Sequence, residues 1–127
     1  MPPQVLIVDD DPDIRDTLAE VLAYERYTVL CAADGAQGLA LLRAGARPDL
    51  ILLDMLMPVV DGGEFLVQLR ADPALAGLRV LVISASSTVR PPPDVPFMRK
   101  PLQLQPFVAA VARHAGPPAD APAPGAG

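Results

Sequence analysis

One cysteine, Cys31, is all the sequence holds, so no internal disulfide can form. It lies inside the apolar run 28–32 and reads as a small buried hydrophobe. Clusters of basic residues are also lacking. They are scattered singly, Arg99-Lys100 is the only adjacent pair, and the net charge is −5. A nucleic-acid surface needs clustered Lys and Arg, so direct nucleic-acid binding is not expected. No apolar run approaches the ~20 residues of a membrane span. Met1-Pro2-Pro3-Gln4 has neither the basic nor the apolar region of a secretory signal. These absences lead to the expectation of a soluble, cytoplasmic protein that touches no membrane.

What is present suits one domain: 127 residues, 51% apolar against 20% charged, enough for a core. Short apolar runs recur. Val5-Leu6-Ile7-Val8 ends in Asp9-Asp10-Asp11, Thr28-Val29-Leu30-Cys31-Ala32 follows, and Leu50-Ile51-Leu52-Leu53 ends at Asp54. Val80-Leu81-Val82-Ile83 ends at Ser84, and Pro96-Phe97-Met98 is a short fifth candidate before Lys100-Pro101. Runs of this length without polar alternation suit strands buried on both faces of a parallel sheet.

Helical patterns fill the intervals. Asp11 is placed to cap a helix and Pro12 suits its first position, after which Ile14, Leu18, Val21 and Leu22 share one face. Residues 36–44 read as a second helix, closed by Gly45. Phe65, Leu66 and Leu69 mark a third, stopped by Asp72-Pro73. Leu104, Phe107, Val108 and Val111 mark a last one, ending near Gly116. The alternation predicts an α/β sandwich with right-handed crossovers and helices on both sheet faces. From Ala85 to Val95 the rhythm breaks, because Pro91-Pro92-Pro93 cannot sit inside a helix. A fourth helix is therefore expected to be short or absent. Residues 116–127, almost all Gly, Pro and Ala, are expected to form a disordered or extended tail.

Polar groups stand at the carboxyl ends of predicted strands: Asp9-Asp10, Asp54 and Ser84. Ligands of open α/β sheets bind at that edge. Three carboxylates brought together repel unless a cation is present, and oxygen donors with an incomplete protein shell suit Mg²⁺. Lys100, just past the fifth run, can offer a compact positive charge to a phosphoryl oxygen. Taken singly, each of these residues reads as a cap, a turn residue or a surface side chain, and Asp11 and Asp13 read as helix-start residues. Their joint placement at one edge is what points to chemistry.

Four stretches carry a resemblance: Val5-Leu6-Ile7-Val8-Asp9-Asp10-Asp11-Pro12, then Leu52-Leu53-Asp54 through Val60-Asp61-Gly62, then Val82-Ile83-Ser84-Ala85, then Lys100-Pro101. In that order they make the chain resemble the receiver domains of bacterial response regulators, over residues 4 to about 114. The resemblance implies a flavodoxin-like three-layer sandwich with a five-stranded parallel sheet ordered 2-1-3-4-5. It places the receiver domain at residues 1–115 and the tail at 116–127. It implies that Asp54 accepts a phosphoryl group from a histidine kinase or histidine phosphotransfer protein. Asp9, Asp10, Asp54 and the backbone carbonyl of Leu56 would hold Mg²⁺. Lys100 would pair with a phosphoryl oxygen, across a Lys100-Pro101 bond expected to be cis. Ser84 and Phe97 would be the switch pair, Phe97 packing inward as Ser84 moves toward the phosphoryl group. Leu56 and Ser86 match positions that tune phosphate lifetime, and apolar Leu56 implies slow hydrolysis.

The chain is then expected to be a phosphorylated switch rather than an enzyme, a monomer or weak dimer that docks on a downstream protein target. Against the family pattern, the interval from Ser84 to Phe97 is about half a dozen residues short. Signalling through another surface, or through the Pro-rich loop itself, is expected in consequence. An alternative is a receiver-like interaction module that works without phosphorylation. A remoter one is a phosphatase of the haloacid-dehalogenase type with Asp9 as nucleophile. Pro12 departs from that pattern, and the chain is short for that fold.

Overall fold

A computed structural model describes residues 3–55, 57, 61–85 and 91–117. Nine elements follow in the order β1 (Gln4–Val8), α1 (Pro12–Tyr24), β2 (Thr28–Ala32), α2 (Gly35–Arg43), β3 (Leu50–Asp54), α3 (Gly62–Ala71), β4 (Val80–Ser84), β5 (Phe97–Arg99) and α4 (Leu104–Ala115) among the described residues. All strands are parallel, in the order β2-β1-β3-β4-β5, as expected. The tail from residue 118 on, Leu56 and Ser86 fall outside the described residues.

The side-chain alternation of the strands divides the core in two. Val5, Ile7, Leu50, Leu52, Leu81 and Ile83 face Leu18 and Leu22 of α1 and Phe107 and Val111 of α4. Leu6, Val8, Ile51, Leu53, Val80 and Val82 face Leu39 and Leu42 of α2 and Phe65, Leu66 and Leu69 of α3. The sheet is thus the middle of three layers. Each fully buried aliphatic side chain contributes roughly 1.5–3 kcal/mol.

Local chemistry sets the helix ends. Asp11 accepts hydrogen bonds from the amides of Asp13 and Ile14 at the start of α1, Asp34 from Gln37 at α2, and Asp61 from Glu64 at α3. Gly45, at φ 117°, turns the chain after α2 as few other residues can. The end of α4 is held by two side chains: Arg79 Nη1 donates to the His114 carbonyl and the Tyr27 hydroxyl to the Gly116 carbonyl, both at 2.8 Å. These contacts satisfy carbonyls that lack an intrahelical partner.

Two features stand out against the regular pattern. Strand β2 is half exposed, unlike β1, β3 and β4, because it lies at the sheet edge. Cys31 is consequently exposed, not buried as its apolar neighbours imply. Its thiol pKa is still raised, first by partial desolvation and then by Asp16, against the opposing Arg15, so it is not an activated thiolate. The second feature agrees with the triproline: among the described residues no helix stands between β4 and β5. Instead, the Val95 amide donates to the Pro92 carbonyl at 3.0 Å, closing a tight turn. No helix among the described residues is long and apolar enough to cross a membrane.

Candidate functional site

Strand register builds the site. Val8 is level with Leu53 and Asp54 with Ile83, so Asp9 and Asp54 emerge side by side at the carboxyl edge, with Ser84 one residue beyond. Ser84 in turn pairs with Arg99, and the Lys100 amide donates to the Ser84 carbonyl at 3.0 Å. That bond delivers Lys100 to the same edge. The Lys100-Pro101 bond is cis, as expected.

The side chains converge. One carboxylate oxygen from each of Asp9, Asp10 and Asp54 lies within 4.8 Å of the others. Asp9 and Asp54 are buried, at 3% and 7% exposure, whereas Asp10 faces solvent. Lys100 Nζ donates to Asp9 Oδ2 at 3.0 Å and lies 3.7 Å from Asp54 Oδ2. It is the only lysine in the chain. Asp9 Oδ1 accepts the Asp11 amide at 2.9 Å, so both of its oxygens are engaged.

Three carboxylates against one ammonium leave a formal charge of about −2, a state that burial and mutual repulsion both penalise. A divalent cation balances it. The donors are all hard oxygens and few in number, the set that Mg²⁺ takes while keeping several waters. The residues present fit that ion.

Other candidates lie elsewhere. Phe97 pairs with Val82, two residues below Ser84, and is half-buried against the α2/α3 face of the core, apart from the carboxylates. Leu56 and Ser86 lie outside the described residues. Two contributors escaped the sequence reading. Arg15, one turn into α1, donates from Nη1 to the Asp9 carbonyl at 2.9 Å. Gly62 sits where a Cβ would meet Met55 Cα at 2.6 Å and the Asp54 carbonyl at 2.8 Å, so α3 starts pressed against the end of β3. A glycine closing the Asp54 motif was the available signal for the second. Nothing local marks Arg15.

Beside the acidic pocket runs an apolar groove of 580 Å³, lined by Ile14, Leu18, Pro101 and Leu102 and reaching Lys100. It adjoins the site without sharing its carboxylates.

Residues 5–92 match the response regulator receiver domain family. The chain is 40% identical over 89 residues to the response regulator MprA of Mycobacterium sp. (strain KMS), covering 70% of this chain and 37% of that protein. It therefore spans little more than a third of the length of that relative. Among solved structures it is similar to the chemotaxis protein CheY4 of Vibrio cholerae, at TM-score 0.78 and 27% identity over 90% of this chain and 99% of that one. It is also similar to the receiver domain of the hybrid histidine kinase CckA, at TM-score 0.76 and 30% identity over 88% and 98% of the two chains.

Proposed function

The chain belongs to the response regulator receiver domain family, and from that premise we propose that it is a phosphoacceptor switch of a two-component system, with Asp54 taking the phosphoryl group. The observation that carries this reading is Lys100 Nζ, 3.0 Å from Asp9 and 3.7 Å from Asp54, in a pocket where three carboxylates crowd. The unit concerned is residues 1–115.

In this reading an Asp54 oxygen attacks the phosphorus of a phosphohistidine in line. The bond to the donor nitrogen breaks, its electron pair stays on the imidazole, and Asp54 becomes an acyl phosphate. Lys100 is already beside Asp54 Oδ2 and neutralises a phosphoryl oxygen with little movement. Mg²⁺, when held by Asp9, Asp10, Asp54 and the Leu56 carbonyl, supplies the further positive charge that equatorial oxygens need. Asp9 is held in a supporting role, its Oδ1 accepting the Asp11 amide and its Oδ2 accepting Lys100 Nζ. That weighs against the phosphatase alternative. The Ser84 hydroxyl then donates to the new phosphoryl group, and Phe97 shifts further into the core as the readout.

The donor is a histidine kinase or histidine phosphotransfer protein, and the output is a protein target rather than nucleic acid. A donor histidine must reach the pocket mouth, and the groove of Ile14, Leu18 and Leu102 beside Lys100 offers its carrier an apolar seat. Incubation with radiolabelled acetyl phosphate and Mg²⁺ tests the proposal. Label is expected on Asp54, lost in Asp54→Asn and in chelator. Label retained in Asp54→Asn, or mapped to Asp9, would overturn it.

A further inference from the structure

At the opposite end of the sheet lies a second cavity, of 280 Å³, beside Val80, the first residue of β4. Its polar wall is made by Arg70, Arg79, His114 and Asp94, and its floor by apolar side chains that include Leu69 and Val80. We propose that this cavity binds a small organic anion, a carboxylate or phosphate monoester on a compact apolar body.

The chain carries a net charge of −5, yet this cavity gathers two guanidiniums and the only histidine against a single carboxylate. A locally positive pocket on an acidic protein is a specific feature, not the edge of a general basic surface. Among the described residues the Arg79 side chain donates only from Nη1, to the His114 carbonyl, while its backbone carbonyl accepts from the Ile51 amide. The bond to His114 fixes the guanidinium and leaves donors for an oxyanion.

Arg70 is the other guanidinium of the polar wall. Its one partner among the described residues is Asp94 Oδ2, at 2.8 Å, with both side chains well exposed. An exposed pair of this kind is weak and exchangeable. The Asp94 carboxylate occupies the position that an incoming oxyanion takes when Asp94 swings out to water. Asp94 follows the Pro-rich stretch that replaces a helix, and Val95, packed on the core, forms the adjoining wall. The cavity thus exists where the chain departs from the common receiver pattern. Two planar forks recognise the head group bidentately, while Leu69 and Val80 receive the apolar body.

Titration of the full chain with benzoate and with phenyl phosphate tests the inference by ¹⁵N–¹H correlation spectra. Chelator is present throughout, so the distant acidic pocket takes no part. Saturable shifts below about 10 mM are expected at Arg79, Val80, Val95 and His114 with both anions, and none with neutral benzamide. Arg70→Gln, which removes only an exposed ion pair from the fold, is expected to weaken binding about tenfold. Absence of saturable shifts, equal shifts with benzamide, shifts centred on Lys100, or unchanged affinity in Arg70→Gln each overturns the proposal. Its failure leaves the Asp54 reading intact, because the two sites share no residue.

Discussion

Asp9 and Lys100 are 91 positions apart in the chain, and their side chains meet at 3.0 Å with only 4% and 14% of their surfaces exposed. One residue follows the first strand and the other the last. The contact therefore forms only when β3 and β4 are in place between β1 and β5, and it ties the acidic pocket to the integrity of the sheet.

Removing Lys100 takes away the ammonium that faces the buried carboxylates of Asp9 and Asp54. Lys100→Met is expected to cost about 3 kcal/mol in chelator. Arg70→Met, which breaks the exposed pair with Asp94, is expected to cost well under about 1 kcal/mol. Urea denaturation of both variants makes the comparison. Equal losses would mean that burial does not set the cost of breaking these pairs.

Asp10 belongs to the carboxylate cluster and faces solvent. Without a metal ion its charge adds to two buried carboxylates that share one ammonium, so Asp10→Asn is expected to stabilise the chain by about 1 kcal/mol in chelator. With saturating Mg²⁺ the order is expected to reverse, since the variant lacks one of the carboxylates proposed to hold the ion. Thermal melts in the two buffers check the crossing. A variant less stable in both sinks the idea.

Gly62 and Gly63 separate packing from helix propensity. A Cβ at Gly62 meets backbone at 2.6 Å, so Gly62→Ala is expected to cost about 2 kcal/mol and to weaken Mg²⁺ binding by moving the Asp54–Met55 segment. A Cβ at Gly63 meets nothing closer than 3.4 Å, and Gly63→Ala is expected to gain up to about 0.5 kcal/mol. Matching effects in the two variants, read from urea melts and Mg²⁺ titration, would refute the argument.

The groove beside Lys100 distinguishes protein donors from small ones. Ile14→Asp is expected to slow phosphotransfer from a phosphohistidine protein about tenfold while leaving acetyl phosphate labelling of Asp54 unchanged. Slowing of both reactions alike would show that the substitution disturbs the pocket rather than the seat.

Burial pushes the Tyr27 phenol above its ordinary 10.0, and the Glu25 carboxylate adds to the shift. The folded chain keeps that proton to higher pH than the unfolded chain does. This contribution is whole below pH 10 and is lost as pH rises through the raised folded value. Tyr27→Phe removes the titration along with the bond to Gly116, at a cost of about 1 kcal/mol near neutrality. Its stability is expected to fall less steeply than the parent's as pH rises above 10.0. Parallel curves from urea melts would count against it.

Much of this architecture is legible in the residues themselves. Continuous apolar runs stop at Asp9, Asp54 and Ser84, and parallel strands with helical crossovers have no choice but to bring those ends to one edge. The caps at Asp11 and the turn after α2 follow from side-chain chemistry within a few positions. Cys31 misled because exposure depends on which strand lies at the edge, and the run 28–32 reads like the interior ones. The clasp of Tyr27 on Gly116 spans 89 positions and the cavity of Arg70, Arg79 and His114 joins three segments, so neither leaves a local trace.

That Lys100 is the sole lysine has a practical consequence. Dyes, biotin tags and resins that react with lysine side chains find one among these 127 residues, at the heart of the acidic pocket. Conjugation at Lys100 is expected to block the labelling of Asp54 proposed above. The same chemistry run at trace levels becomes an assay in unlabelled protein: acylation of one side chain, slowed by whatever fills the pocket, and counted by mass.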